Sequence, residues 1–211
     1  MHPRPSLLPK ARLEALTDGI FAVTMTLLVL DLRFPEHPTQ SLWDELIDLL
    51  PRIDNYVISF VVLAVFWLSH LRMLHRMREA DHRFAWLNLA FLLFTTLVPP
   101  LTSLLGNNPQ LPRAAILYGF NLILILGCEA LAWRLVCTKL RNESLQDPEA
   151  TWRTIRRHFG LGAGVVLLAI VVALVEIRLG LTQGFAPYVY LLLIGVGVMR
   201  PAYRSLPRDT T

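Results

Sequence analysis

The chain has 211 residues, of which 54% are hydrophobic and only 17% charged. Soluble domains carry about 25% charged residues, so a soluble monomer of this size could not bury so many apolar side chains in one core. This composition excludes a disordered chain as well. The net charge of +4 comes without a contiguous basic face, which argues against nucleic-acid binding.

Six stretches of the sequence are long and apolar enough to cross a bilayer as helices. In chain order they are 13–32, 53–71, 84–105, 114–136, 159–177 and 184–199. The Pro99-Pro100 pair should kink the third stretch or end it early, and the sixth is short. The sequence therefore predicts an all-α, polytopic membrane protein with six transmembrane helices in a single domain, 1–211.

The distribution of basic residues predicts the orientation of these helices. With the N-terminus in the cytoplasm, 16 of the 20 Lys and Arg fall in cytoplasmic segments and 4 in outer segments. An even number of spans with both termini in the cytoplasm agrees with this asymmetry. The acidic outer connection, 34–55, has apolar residues at helical spacing and predicts a short amphipathic helix. That helix is either a solvated connection or an acidic vestibule that concentrates cations.

The sequence lacks the motifs of common enzymes and of the best-known potassium filter. It has no nucleotide-binding loop, no hydrolase elbow and no zinc-protease motif, and the filter sequence Thr-Val-Gly-Tyr-Gly is absent. His70, His75 and His82 have no partners at the spacing of a metal site. Cys128 and Cys137 are nine residues apart and so point to opposite faces of a helix. We predict no enzyme activity, no cofactor, no metal site and no disulfide.

The first predicted helix has two chemically different faces. On a wheel of 100° per residue, one stripe is apolar apart from a single hydroxyl, and Asp18 lies on the far side. The stripe contains Leu16, Gly19, Ile20, Val23, Thr26, Leu27 and Leu30. It either lines a pore or packs against other helices.

Asp18 is a carboxylate inside a membrane segment, where charged groups usually have partners. It lies six residues beyond Arg12, about 9 Å deeper along the helix. Trp67 and His70, at i and i+3 on the second span, share a face at a similar depth and offer N–H donors. We therefore predict a network of Asp18 with Trp67 and His70, with Thr17 and Arg12 nearby. The network either gates the first helix or simply holds two helices together.

These residues resemble the motifs of a known family. The segment Arg12-x-x-x-Leu16-Thr17-Asp18 resembles the Arg-x-x-x-Phe-Ser-Asp motif of the transmembrane protein 175 family of lysosomal potassium channels and its bacterial relatives. Residues 19–30 and the Trp67-x-x-His70 pair are similar to the same family's first and second helices. Leu16 stands where the motif has Phe and Thr17 where it has Ser, and neither change removes a charge or a donor.

The resemblance implies a homotetramer in a bacterial plasma membrane, surrounded by lipid. The first helix of each subunit would line a central pore for potassium and other monovalent cations. The resemblance also assigns a hydrophobic constriction to Val23, Leu27 and Leu30, and a role in selectivity to Thr26.

Two other functions remain open from the residues alone. A secondary transporter would use a broken helix near the midplane, for which Pro99-Pro100 and Glu129 are the candidates. A proton-conducting membrane protein would use Asp18 and His70, although both face away from the apolar stripe. A membrane enzyme would need a nucleophile, and none is recognisable.

Overall fold

A computed structural model describes residues 9–32, 42–77, 80–108, 111–140, 148–181 and 185–198. Helices account for nearly all of these residues, and no β-strand occurs among them, which confirms the all-α prediction. The α-helices are α1 Lys10–Leu27, α2 Leu42–Leu74, α3 His82–Thr96, α4 Val98–Asn107, α5 Pro112–Leu140, α6 Pro148–Leu179, α7 Ala186–Val189 and α8 Leu192–Val198. A single 3₁₀ turn, Leu28–Asp31, continues α1.

Among the described residues, five stretches have the length and composition of a membrane-crossing helix. They are Lys10–Leu30, Arg52–Leu74, His82–Asn107, Pro112–Thr138 and Trp152–Leu179. These stretches correspond to the first five predicted spans, so the prediction of a polytopic membrane protein is confirmed. The sixth predicted span falls on α7 and α8, which have four and seven residues and are each too short to cross a bilayer alone.

The third span breaks near its two prolines, as the sequence predicts. Helix α3 ends at Thr96, and α4 begins at Val98 with Pro99 and Pro100 in its first turn. Proline has no backbone N–H to donate to the preceding turn, so two adjacent prolines are compatible only with the start of a new helix. The Thr95 hydroxyl donates to the carbonyl of Phe91 at 2.8 Å, within the last turn of α3.

The outer connection differs from the prediction. Residues 42–55 do not form a separate surface helix. The helix continues without a break through residues 51–56, so these residues and the second span form one α2 helix of 33 residues. Trp43 and Ile47 are exposed on this N-terminal extension. Residues 34–41, which include Glu36 of the predicted vestibule, lie outside the described residues.

The helices pack in an order that places α1 at one side of the bundle. Helix α1 packs mainly against α3 and α2, whereas α5 lies between α3 and α6. Helix α6 presents an exposed apolar face that includes Leu167, Leu168, Val171 and Leu174. An exposed apolar face of this kind is unfavourable in water. It is suited to lipid, because a helix satisfies its backbone polar groups with its own hydrogen bonds.

Candidate pore-lining helix and its anchors

Helix α1 buries one narrow face. The buried side chains recur every three or four residues, which is the spacing of one helical stripe. They are Leu13, Thr17, Phe21 and Thr24, followed by Leu28 at the start of the 3₁₀ turn. Most of the remaining circumference of α1 is exposed.

Most of the predicted stripe lies on the exposed part of α1, whereas its member Ile20 is partly buried against the core. Val23 is 56% exposed and Leu30 is 60% exposed, and Thr26 and Leu27 are exposed as well. At 100° per residue, the centre of this stripe is roughly 120° from the centre of the buried stripe. These four side chains therefore point away from the subunit's own core.

The helix geometry changes just before the last member of the stripe. The sequence prediction used an α-helix throughout, but residues Leu28–Asp31 form a 3₁₀ turn. In a 3₁₀ helix, side chains three residues apart eclipse each other. Leu30 therefore lies above Leu27 along the axis, so the tighter turn keeps both leucines on the exposed side.

Thr26 has a defined hydroxyl orientation. Its Oγ1 donates to the backbone carbonyl of Val23 at 2.8 Å. This bond occupies the hydroxyl hydrogen and leaves the oxygen lone pairs available. An exposed oxygen of this kind could act as a ligand for an alkali cation.

Asp18 binds the second helix through one strong contact. Trp67 donates its indole Nε1–H to Asp18 Oδ1 at 2.9 Å. A hydrogen bond to an ionised carboxylate is stronger than a neutral one. This contact joins α1 to α2 on the side away from the exposed stripe.

His70 does not join this hydrogen bond, which corrects the prediction. Its side chain is fully buried and stacks on Phe91 of α3, with ring centroids 4.5 Å apart and planes 10° apart. Neither ring nitrogen has a hydrogen-bond partner of good geometry among the described residues. Phe91 also contacts Phe21 of α1, at a centroid distance of 5.8 Å. His70 therefore acts through an aromatic stack that includes all three helices, and does not donate to Asp18.

Thr17 binds the third helix through a residue that the sequence analysis missed. Its hydroxyl and the Asn88 side chain exchange two hydrogen bonds, at 3.2 and 3.4 Å between heavy atoms. Both side chains are buried, and the Asn88 amide also lies beside the His70 ring. An amide within the apolar run of α3 was the available signal, because buried polar groups require partners.

Arg12 does not belong to the Asp18 network either. It is exposed and makes no hydrogen bond or ion pair with Asp18 within the described part of the chain. Arg12 lies eleven residues before Val23, so the same wheel places it close to the exposed stripe and away from Asp18. Nearby, Lys10 and Glu14 form an i, i+4 ion pair at 3.2 Å.

The acid proposed for a transporter site lies elsewhere. Glu129 of α5 faces Ser69 and Arg72 near the end of α2, and not the Pro99-Pro100 break. In the described ranges, no group of three or more His, Cys, Asp or Glu could hold a metal ion. The arrangement does not favour a midplane transporter site.

The fold defines the class as a multi-pass membrane protein. A family model described as "Endosomal/lysosomal potassium channel TMEM175" matches residues 12–99. A potassium channel from Streptomyces collinus is 32% identical over 158 residues, which cover 72% of this chain and 76% of the relative. A potassium channel from Chamaesiphon minutus is 28% identical over 199 residues, which cover 92% and 98% of the two chains.

A solved structure agrees with these sequence matches. The crystal structure of a lysosomal potassium-selective channel TMEM175 homolog from Chamaesiphon minutus superposes with a TM-score of 0.75 at 27% identity, over 92% of this chain and 98% of the other. This chain therefore belongs to the TMEM175 family of ion channels. The resemblance inferred from the first two helices is confirmed, and the relatives are channels and not enzymes.

Proposed function

We propose that the protein is a potassium-permeable cation channel, built as a homotetramer with α1 of each subunit lining a central pore. The observation that supports this most directly is the exposed stripe of Val23, Thr26, Leu27 and Leu30. These four side chains are exposed in the subunit, although they belong to the helix that carries the family motif. Relatives that match most of this chain are named potassium channels.

The surface of α1 supports an assembly of several subunits. One stripe of α1 packs within the subunit, and the remaining circumference is largely apolar and exposed. In a membrane, such a surface meets lipid or another protein chain. Around a fourfold axis, each α1 would have one side toward the pore and two sides toward neighbouring subunits. These three sides correspond to the surface of α1 that is exposed in the single subunit.

The order of the stripe residues suggests how the pore closes. Four copies of Val23, Leu27 and Leu30 would form apolar rings at intervals of about 6 Å. Narrow apolar rings stop conduction by excluding water. Between the first two rings, four Thr26 hydroxyl oxygens would replace part of the hydration shell of a cation. Without a cage of backbone carbonyls, we expect weak to moderate selectivity for potassium over sodium.

The anchors determine which side of α1 faces the pore. Trp67 holds Asp18 from α2, and Asn88 holds Thr17 from α3. Adjacent residues on a helix differ by about 100°, so two bonds to two different helices fix the rotation of α1. We assign to these residues a positioning role in the channel, with His70 supporting them through its aromatic stack.

The remaining topology completes the proposal. The whole chain, 1–211, forms one channel subunit with α7 and α8 together as the sixth crossing. Both termini lie in the cytoplasm, and the protein resides in the plasma membrane. We expect the purified complex to have the mass of four chains, and a monomer in a mild detergent would contradict the tetramer.

Flux of potassium into liposomes tests the pore assignment with a matched pair of variants. Leu30 on α1 and Leu93 on α3 are each 60% exposed, so Leu30→Ala and Leu93→Ala remove the same side chain from equally exposed positions. We expect Leu30→Ala to raise the potassium flux several-fold by widening an apolar ring, and Leu93→Ala to leave it unchanged. Equal effects of the two substitutions would overturn the pore assignment.

A further inference from the structure

Glu129 is a buried acid that makes no ion pair within the described ranges. It lies on α5 and is 1% exposed, and neither carboxylate oxygen has a hydrogen-bond partner of good geometry among the described residues. An ionised carboxylate that is removed from water is stable only when another charge or several donors compensate it. The neutral carboxylic acid is therefore the form that this packing accommodates.

The side chains that face Glu129 come from the last turns of α2. The Ser69 hydroxyl and the Arg72 guanidinium both act on its carboxyl group, and they share a helix face because they are three residues apart. Arg72 donates its Nε–H to the carbonyl of Leu68 at 2.8 Å and forms no ion pair with Glu129 within the described ranges. The remaining guanidinium N–H groups make Arg72 a potential partner for the ionised acid.

Other charged groups lie at this end of the bundle, and they include Arg76 of α2, which interacts electrostatically with Cys137 of α5. Helix α6 contributes His158, which interacts electrostatically with Arg72. The titratable groups of α3 at this end are His82 and Arg83 in its first turn, and α4, α7 and α8 contain no charged residue. His70 of α2 faces α3, where it stacks on an aromatic ring. Arg72 is thus the charged group best placed to respond to ionisation of this acid.

We propose that Glu129 is a proton-binding site that couples proton concentration at the Arg72 end of the bundle to the position of α2. When Glu129 loses its proton, the O–H bond of its carboxyl group breaks and the proton passes to water at the Arg72 end of the bundle. The resulting carboxylate then pairs with Arg72. Trp67 lies five residues before Arg72 on the same helix and holds Asp18 of α1. A shift of α2 toward α5 therefore reaches the pore-lining helix, a step that rests on the proposed channel function.

Infrared spectroscopy of the purified protein tests proton binding without any assay of transport. At about pH 7, wild-type protein should show a protonated-carboxyl stretch that Glu129→Gln loses. The control is Glu176→Gln, because Glu176 of α6 is also buried but accepts a hydrogen bond from the backbone N–H of Phe185 at one carboxylate oxygen, while the other oxygen has no partner among the described residues. A protonated-carboxyl band of unchanged intensity in Glu129→Gln would overturn the proton-binding site.

Potassium flux at several pH values then tests the coupling. In the wild type, we expect flux to change several-fold between about pH 6 and about pH 9 at the Arg72 end. Glu129→Gln imitates the neutral acid, so its flux should equal the acidic wild-type value at every pH, and Glu176→Gln should respond as the wild type does. A pH response that survives unchanged in Glu129→Gln would overturn the coupling. Absence of wild-type flux at every pH would contradict the channel function and leave the infrared result standing.

Discussion

Thr17 and Asp18 are neighbours in the sequence but bind different helices. Asp18 accepts a hydrogen bond from Trp67 of α2, and Thr17 exchanges hydrogen bonds with Asn88 of α3. A single bond would allow α1 to rotate about its contact, whereas two bonds in directions about 100° apart do not. These two residues therefore orient the exposed stripe.

Loss of the Trp67 donor should weaken this orientation. Trp67→Phe keeps an aromatic ring but leaves the exposed Asp18 without its N–H partner. We therefore expect stability to fall by about 0.5–1.5 kcal/mol, the usual net contribution of a hydrogen bond. Thermal unfolding in detergent measures the change. The control is Trp86→Phe, because Trp86 is 73% exposed on α3. A fall of equal size in Trp86→Phe would contradict a specific role for the Trp67 bond.

The sequence predicts a contact between two side chains correctly where their depth in the membrane and their spacing along the helix determine it. The i, i+3 relation of Trp67 and His70 placed both at the depth of Asp18, and the structure contains the hydrogen bond from Trp67. It does not contain one from His70, because Phe91 of α3 occupies the face of that ring. The position of a third helix depends on tertiary packing. Neither the helical wheel of α1 nor the residue spacing on α2 predicts where α3 packs.

At the scale of the element, α1 combines a buried stripe with an exposed one. Such a helix is stabilised by its buried side chains, since helices in proteins depend on tertiary packing more than on intrinsic propensity. The exposed stripe is therefore free to serve another purpose. The wheel identified that stripe from the sequence, but it could not show the 3₁₀ turn at Leu28–Asp31.

Substitutions on the two faces of α1 should have different effects: one on the buried face should lower stability, and one on the exposed stripe should change potassium flux. Phe21→Ala removes a ring that is 1% exposed and packed on Phe91, so we expect a loss of about 3–5 kcal/mol. Val23→Ala should change stability by less than about 1 kcal/mol and should alter potassium flux. Denaturation of both variants in detergent, with flux measured in parallel, checks this. Similar destabilisation by the two substitutions would show that the exposed stripe is buried in the functional protein.

The other elements show the same division between what a sequence predicts and what packing adds. Pro99 and Pro100 predicted a break, because proline lacks the donor that a continuous helix needs, and α4 begins at Val98. The N-terminal part of α2, from Leu42, was predicted as a separate amphipathic helix, but it is continuous with the second span. Composition distinguishes an amphipathic segment from a transmembrane one, but it does not show whether the two segments form one helix.

At the scale of the whole molecule, apolar content predicts a membrane protein, and together with the charge distribution it predicts six crossings. Five long helices among the described residues agree with the membrane prediction, whereas the sixth predicted crossing falls on the short helices α7 and α8. Apolar surface is exposed on several helices, including α6 and α1. Of these two, α1 carries the family motif and has the hydroxyl of Thr26 within its exposed stripe. We therefore propose that α6 faces lipid and that α1 faces a shared pore.

Chemical accessibility of Thr26 tests this central assignment most directly. After replacement of the free Cys128 and Cys137, Thr26→Cys and Leu168→Cys would be reconstituted separately in liposomes and treated with a charged, water-soluble thiol reagent. The pore assignment predicts that the reagent blocks potassium flux through Thr26→Cys and leaves flux through Leu168→Cys, on the apolar face of α6, unchanged. Unchanged flux through Thr26→Cys, with its thiol found unmodified, would place the α1 stripe against lipid and contradict the account.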